Sequence, residues 1–377
     1  MNILAIESSC DETAAAIITG DPFASNSNSD TEKPQILSNI VVSQIDIFKA
    51  YGGVIPEVAA RSHLEAILPV IHQAFRDAGF TKSNTKSNAN SNSYSDDWSK
   101  IDAIAVTHTP GLLGSLLIGT LTARTLAILH DKPLYAIHHL KSHIYANWLD
   151  AENTPSFPLL ALVISGGHTQ IIRMTAHNNF EIIGTTLDDA VGECFDKVAK
   201  VLGLPYPGGP SVAKCAMNGD SQKYHLPIPN IKELDFSFSG LKTAVLRAVQ
   251  KEVGVPISYP SHQLANLLTD QQKSDFAASF EKTAIDILLK KLEKALSIYP
   301  ETKSIVIAGG VSANQNLRAS AAKKFNSPSD PTIFFPELKF SGDNAAMVGA
   351  AAFFEIKTKI EPTDPYSLNI FPRSDIQ

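Results

Sequence analysis

The chain has 377 residues, 44% of them apolar and 19% charged, and a formal net charge of −6. That length and balance suit two domains with proper cores, speak against a fibre, and argue against a uniformly basic nucleic-acid coat, although a local patch can still hold a large RNA. Cys10, Cys194 and Cys215 are widely spaced, odd in number and without a Cys-x-x-Cys, so neither a disulfide framework nor a thiolate cluster is indicated and a reducing compartment is the simplest reading.

Strands are predicted at Asn2 to Ser8, Ala14 to Thr19 and Ile36 to Ser43, then a helix from Glu57 to Ala78 with Pro56 near its start. The first strand reaches Glu7, Asp11 and Glu12 before a signal-peptide hydrophobic region is complete, so no export or organelle address is expected. Asp21 to Lys33 and Thr81 to Ser99 are rich in Ser, Asn, Asp and Lys. They read as flexible surface insertions, because they bury too little to offset their ordering entropy. A strand at Ala103 to Thr107, a helix at Leu116 to His130, a strand at Leu134 to Ile137 and a helix opening at His139 follow. Residues 112 to 130 are the most apolar long stretch, but Gly114, Ser115, Gly119, Thr120, Thr122 and Arg124 interrupt it, which fits a buried helix better than a membrane span.

The second half repeats this order. Leu159 to Ser165, a Gly166-Gly167 turn and Gln170 to Met174 form a hairpin, followed by Phe180 to Thr185 and a helix from Val191 to Leu202. After an insert from Pro205 to His262 come a strand at Ser304 to Ala308, a helix at Asn314 to Lys324, a strand at Ile333 to Phe335 and a helix from Asp343 to Ile356. The expected organisation is α/β and duplicated: an N-terminal lobe of residues 1–138 with 344–377, and a C-terminal lobe of residues 139–343 carrying an insert near 205–262. Lys197, Lys200, Lys214, Lys223, Lys232, Lys242, Arg247 and Lys251 gather positive charge in one third of the chain, either as an RNA-facing patch or as solvated faces.

His139 and His143 stand four apart, so a helix stacks both imidazoles on one face, as half of a metal site or as a bland helix face. A zinc peptidase would place a glutamate directly after the first histidine; Leu140 is there instead. In a duplicated fold the helix opening at His139 corresponds to the one opening at Asp343, which makes Asp343 a candidate third ligand; the alternative is a plain helix cap. Two imidazoles and one carboxylate leave positions open for water or a substrate oxygen and suit iron or zinc. Small-residue loops at Glu7 to Thr13, Ser165 to Thr169, Tyr206 to Pro210 and Ala308 to Asn314 are turns, or together they cradle a nucleotide between lobes. Asp11 and Glu12 are turn formers, or a base beside that nucleotide. Ser239-Gly-Leu-Lys-Thr243 lacks the glycine that a phosphate loop requires.

The segments Glu7-Ser-Ser-Cys-Asp-Glu-Thr13, His138-His-Leu-Lys-Ser-His143, Ser165-Gly-Gly-His-Thr-Gln170, Asp188 to Lys200, Tyr206-Pro-Gly-Gly-Pro210, Phe238-Ser-Gly-Leu-Lys242, Gly309-Gly-Val-Ser-Ala-Asn314 and Gly342-Asp-Asn-Ala-Ala-Met347 resemble those of the TsaD family of tRNA adenosine threonylcarbamoyltransferases. The likeness runs in order through nearly the whole chain, apart from the two low-complexity insertions, and the Ser-Gly-Gly-His loop has the bacterial or organellar form. It implies an actin-like ATPase (ASKHA) fold of two ribonuclease-H-like lobes with an interlobe cleft, in a cytoplasmic enzyme with no membrane role. The implied reaction is a metal-dependent acyl transfer from threonylcarbamoyl-AMP to N6 of adenosine 37, in the anticodon loop of tRNAs reading codons that begin with A, with release of AMP. Carried over by motif, the metal ligands are His139, His143 and Asp343, for one divalent ion per subunit, iron(II) as the usual assignment and zinc as the alternative. The donor-binding residues are Val163, Ile164, Ser165, Gly166, Gly167, Asp196, Gly209 and Asn314, and the acids are Asp11 and Glu12. The implied partners are a paralogous TsaB-like subunit and a TsaE-like P-loop ATPase, with a homodimer as the alternative. A sugar kinase of the same superfold would leave the histidines without a role, and a non-catalytic scaffold would be expected to lack them.

Overall fold

The computed structural model describes residues 1–23, 33–83, 94–149 and 152–376. Its chain forms two compact units, the first made of Met1–Asp46, Val54–Thr154 and Pro336–Gln377, the second of Ile47–Gly53 and Pro155–Phe335.

In the first unit, β1 (Asn2–Glu7), β2 (Glu12–Thr19) and β3 (Gln35–Ser43) form an antiparallel meander; the short α1 (Ile45–Lys49) then carries the chain into the second unit at Ile47, and α2 (Pro56–Asp77) resumes the first. The chain then runs through a short ladder of β4 (Thr81–Ser83) and β5 (Tyr94–Asp96) to β6 (Ala103–Thr109), α3 (Leu113–His130), β7 (Leu134–His138) and α4 (His139–Tyr145). β6 and β7 add in parallel to β1, giving the order β3-β2-β1-β6-β7. β1 and β2 are apolar on both faces because both faces are covered. Leu4, Ile6, Ala15 and Ile17 join one core with Ile67, Val70, Ile71, Ala74 and Phe75 of α2 and with Ala123 and Ala127 of α3. On β1 and β2 lies α10 (Ala345–Lys357), so close that a Cβ on Gly349 would stand 2.4 Å from Cγ1 of Ile18.

The second unit repeats the scheme with β8 (Leu159–Ile164), β9 (Thr169–Ala176), β10 (Asn179–Thr185) and α5 (Val191–Leu202), then α6 (Gly208–Ala216), α7 (Ser239–Glu252) and α8 (Asp270–Ile298), then β11 (Ser304–Ala308), α9 (Gln315–Lys324) and β12 (Thr332–Phe334). The order β10-β9-β8-β11-β12, with β8 to β10 antiparallel and β11 and β12 parallel to β8, matches the first sheet strand for strand. The expected duplication is therefore present in the topology. Leu160, Leu162 and Ile164 of β8 pack with Val191, Phe195 and Val198 of α5 and with Phe276, Phe280 and Leu288 of α8.

Three expectations need correction. The unit boundaries fall after Thr154 and before Pro336, not after 138 and before 344, because α4 packs on α10 and both stay with the first sheet. The insertion expected at Thr81 to Ser99 is ordered at its edges: β4 pairs with β5, and Trp98 stacks on His130 at 3.9 Å and meets Phe75 at a tilt of 51° with centroids 4.8 Å apart. Its residues 84–93, and 24–32 of the earlier insertion, lie outside the described residues. Finally, α3 is half a surface helix. It is long and apolar enough to cross a membrane, yet it packs on β6 and α2 while Leu113, Leu117, Leu121 and Ile128 remain exposed.

Candidate functional site

Three ligand-type side chains meet in the first unit. β7 delivers the chain into α4 at His138, whose Nδ1 accepts from the Leu140 N–H at 3.2 Å and caps the helix, while its Nε2 donates to the Ser374 carbonyl at 3.2 Å. Burial holds the His138 imidazole down to about 3, which keeps the neutral form this capping needs. One turn of α4 then stacks His139 and His143, with ring centroids 4.6 Å apart and planes at 76°. Asp343 enters from the chain just before α10, its Oδ1 3.2 Å from Nε2 of His143 and 3.5 Å from Nε2 of His139. The ligand atoms of the three lie within 4.8 Å of one another, and among the described residues they are the group that could hold a metal ion.

Two details weigh on whether a cation fits. Asp343 is not the cap of α10: Asn344 is, its side chain accepting from the Met347 N–H at 3.1 Å, so the carboxylate is released from that structural task. His143 is 1% exposed and, among the described residues, neither ring nitrogen has a hydrogen-bond partner; its approach to Asp343 is at ion-pair distance without hydrogen-bond geometry. A buried imidazole with two idle nitrogens beside a carboxylate is what a metal ligand looks like before its ion is placed, since leaving such a group unpaired costs about 1–3 kcal/mol.

Glu7 completes the arrangement and was not singled out by sequence reasoning. Fully buried at the end of β1, its Oε1 accepts from the Ser9 N–H at 2.6 Å, and its Oε2 from the Thr107 hydroxyl at 2.6 Å and from Nδ1 of His139 at 3.2 Å. The Ser9 hydroxyl also lies 3.2 Å from that nitrogen. A carboxylate on Nδ1 fixes the ring so that Nε2 faces Asp343, the usual outer support of a metal-binding histidine. Burial alone would depress the His139 imidazole, but the charges of Asp343 and Glu7 outweigh it and raise the group to about 9. Burial would likewise raise Glu7, but His139 and the Thr107 hydrogen bond hold it below the usual carboxylate range. An acid at the end of an otherwise apolar, buried strand was the available signal.

Asp11 and Glu12 occupy the β1–β2 turn of the same unit. Burial, then the charges of Asp343 and Asp11, push the Glu12 carboxyl well above its ordinary range; its Oε1 accepts from the Ser43 hydroxyl at 3.1 Å. The triad and both acids thus belong to one compact unit, the first.

The expected donor-binding residues all fall in the second unit. Val163 and Ile164 end β8, and Ser165 to Gly167 turn into β9; a Cβ on Gly166 or Gly167 would meet nothing within 4 Å. Asp196 on α5 accepts from the Gly208 N–H at 2.6 Å, and Gly208 must be glycine because a Cβ there would lie 2.4 Å from the Asp196 Cα. The two residues line a cavity of about 310 Å³ with Tyr51, Lys200 and Tyr206, and Gly209 is next in the chain. Asn314 caps α9, its Oδ1 accepting from the Leu317 N–H at 2.9 Å, while its Nδ2 donates to Glu281 at 2.6 Å. Glu281 is buried on α8 and also accepts from Asn316. The rejected phosphate-loop segment begins α7, whose first N–H groups already donate to the Asp188 carboxylate.

A family model described as TsaD, tRNA N6-adenosine threonylcarbamoyltransferase, matches residues 35–350. Curated proteins of that name are similar along most of their length. The one from Symbiobacterium thermophilum is 44% identical over 353 residues, covering 93% of this chain and 91% of its own. The one from Bacillus subtilis is 43% identical over 355 residues, covering 93% and 89%. Among solved structures, HypF from T. kodakarensis superposes with a TM-score of 0.57 at 13% identity, over 95% of this chain and 48% of that protein. At that identity the likeness speaks for the fold alone, which is the duplicated actin-like ATPase fold.

Proposed function

The chain belongs to the family of tRNA N6-adenosine threonylcarbamoyltransferases, and from that membership we propose how its residues divide the reaction. It is an acyltransferase that modifies N6 of an adenosine in tRNA. In the finer reading the donor is threonylcarbamoyl-AMP and the acceptor is adenosine 37 of tRNAs reading codons that begin with A. A bond forms from N6 to the carbamoyl carbon, the bond from that carbon to the phosphate oxygen breaks, AMP leaves, and one proton leaves the amine. The acyl carbon is already activated, whereas the adenine amine is delocalised into its ring and weak, so positioning and proton acceptance are the tasks left to the protein.

The observation that carries the metal part of this reading is His143, buried with both nitrogens unpartnered beside Asp343. His139, His143 and Asp343 would hold one divalent cation, iron(II) or zinc. Bound there, the cation supplies Lewis-acid orientation and polarisation of the anionic donor. Asp11 takes the amine proton, with Glu12, whose carboxyl is pushed up by burial and by its acidic neighbours, as its hydrogen-bonding companion. In the second unit the Ser165–Gly167 backbone takes phosphate or carboxylate, Asp196 a ribose hydroxyl, and Asn314 a polar edge of the nucleotide through the capacity its two structural hydrogen bonds leave. An adenosine in an anticodon loop is single-stranded and can be splayed out to reach such a site.

The exposed leucines of α3, with Leu64 and Leu68 on the neighbouring α2, support docking of a paralogous TsaB-like subunit, with a TsaE-like P-loop ATPase joining that assembly. The reading assigns the protein to the cytoplasm, in keeping with its bacterial relatives.

The test incubates the protein with tRNA, threonylcarbamoyl-AMP, a divalent metal and the partner subunits, then digests the RNA for nucleoside mass spectrometry. Threonylcarbamoyladenosine is expected. Its absence with every component present would sink the donor assignment, and a His139→Ala protein that keeps stoichiometric metal would remove that residue from the ligand set.

A further inference from the structure

We infer that His63 on α2 is a positioning residue for the reaction, holding the Cys10–Thr13 turn so that the Asp11 carboxylate points in one direction. The inference rests on the reading of Asp11 as proton acceptor. His63 is fully buried, and both of its ring nitrogens are engaged by that turn. Nε2 lies 3.0 Å from the Cys10 carbonyl oxygen, which can only accept, so this nitrogen carries the proton. In the neutral ring Nδ1 is then an acceptor, and it takes the Thr13 hydroxyl at 2.8 Å. Burial keeps the imidazole below its ordinary range, in accord with one donor and one bare nitrogen.

The two anchors sit immediately before and two residues after Asp11, so the imidazole spans the residues that carry both acids. Other contacts fix the same turn from outside. The Ser115 hydroxyl also donates to the Cys10 carbonyl at 3.1 Å, the Leu112 N–H donates to the Ser9 carbonyl at 2.8 Å, and the Gln44 N–H donates to the Asp11 carbonyl at 3.0 Å. Three successive carbonyls are thereby tied down by groups from different parts of the unit, and His63 holds the turn at both ends. A buried imidazole is an expensive filler where leucine would pack at lower cost, so what His63 contributes is its hydrogen bonds and not its volume. A shift of about 1 Å in a reacting group costs on the order of 100-fold in rate, which sets the expected size of the effect.

The experiment compares H63A, H63Q, T13V, D11N and the H63A/D11N double variant in the complete enzyme with its partners, metal and tRNA. It measures kcat, KM for both substrates, metal content and Tm. H63Q keeps a donor and an acceptor at the right places, and it keeps the test meaningful if H63A folds poorly. Expected are a kcat loss of about 10- to 100-fold in H63A with KM values within about twofold and metal retained, a smaller loss in T13V, and substantial recovery in H63Q. In the D11N background, H63A should add less than about twofold, because a residue that acts through Asp11 has nothing left to position. Multiplicative losses in the double variant, or a folded H63A with unchanged kcat, overturn the inference while D11N remains slow. A fully active D11N overturns the reading of Asp11 itself, whatever His63 does.

Discussion

Replacing Glu7 by Gln should weaken metal binding by 10- to 100-fold without touching a ligand. The carboxylate accepts three hydrogen bonds in full burial, from Ser9, Thr107 and His139. A glutamine offers one acceptor oxygen and turns an NH2 toward one side of that set. The Thr107 hydroxyl can reverse its role and accept from it, but Nδ1–H of His139 cannot. With the NH2 on the His139 side the ring meets a donor, or moves its proton to Nε2, the nitrogen that faces Asp343 and would bind the metal; with the amide turned the other way the NH2 opposes the Ser9 N–H, and the neutral oxygen left to His139 is a weaker acceptor than the carboxylate. Loss of an outer carboxylate of this kind costs about 10- to 100-fold in affinity, roughly 1.4–2.7 kcal/mol. The assay is thermal unfolding with and without zinc, each variant serving as its own reference because E7Q also loses intrinsic stability. At metal 100-fold above the parent Kd, binding stabilises the parent by about 2.7 kcal/mol; a variant bound 100-fold more weakly keeps about 0.4. For a unit of this size that difference turns a metal-induced shift of about 5–10 °C into about 1 °C. If E7Q keeps the parental metal-induced shift and a chelator-competition Kd within twofold, the carboxylate does not orient His139 and the reasoning fails.

Glu355 on α10 is buried and lifted to about 7 from 4.5, despite Lys141 at 3.6 Å. Its folded-state pKa exceeds the unfolded one, so its contribution is whole below about pH 4.5 and is lost as pH rises through about 7. E355Q should therefore gain stability relative to the parent between pH 5 and pH 8, by up to about 3 kcal/mol; a difference in Tm that stays flat with pH would contradict the assignment. At Gly309, with φ of 89°, a Cβ would stand 2.4 Å from the Ile164 carbonyl oxygen, and G309A should destabilise the second unit by about 2 kcal/mol or more. Urea unfolding followed by the fluorescence of a probe in that unit reads this directly, an unchanged midpoint being the adverse result. The double substitution L117K/L121K on the exposed face of α3 should abolish co-elution with the paralogous subunit while changing stability by less than about 0.5 kcal/mol. Retained co-elution would place the partner elsewhere.

Much of the fold was legible because strand and helix periods differ and because the chain uses the same order of elements twice. The correspondence of α4 with α10 in that order is what ties Asp343 to His139 and His143 from the sequence. What sequence could not supply was which sheet each helix covers. Pattern marks α10 as apolar on every side and says nothing of its packing on β1 and β2, so the unit boundaries were displaced by some sixteen residues at one end and eight at the other. Sequence alone could not choose between Asp343 as ligand and Asp343 as helix cap, because Asp343 and Asn344 are both good capping residues and the choice depends on backbone geometry that fixes Asn344 as the last extended residue. Glu7 escaped notice because its function is defined by partners 100 and 132 residues away.

The chain path draws the candidate centre from both sides of a long insertion. Residues 155–335 form nearly all of the second unit, and they are inserted between Thr154 and Pro336 of the first. His139 and His143 precede this insertion and Asp343 follows it, so the third ligand reaches the site only when the returning segment docks. That docking is the packing of α10 on α4 and over β1 and β2, where Gly349 leaves no room for a side chain. Burial of Ala345, Val348, Ala352 and Phe353 therefore does more than stabilise a helix: it sets the position of a carboxylate two residues before the helix begins. Small apolar residues dominate α10 for the same reason, since a larger side chain at Gly349 would push the helix off the sheet and carry Asp343 away from both imidazoles.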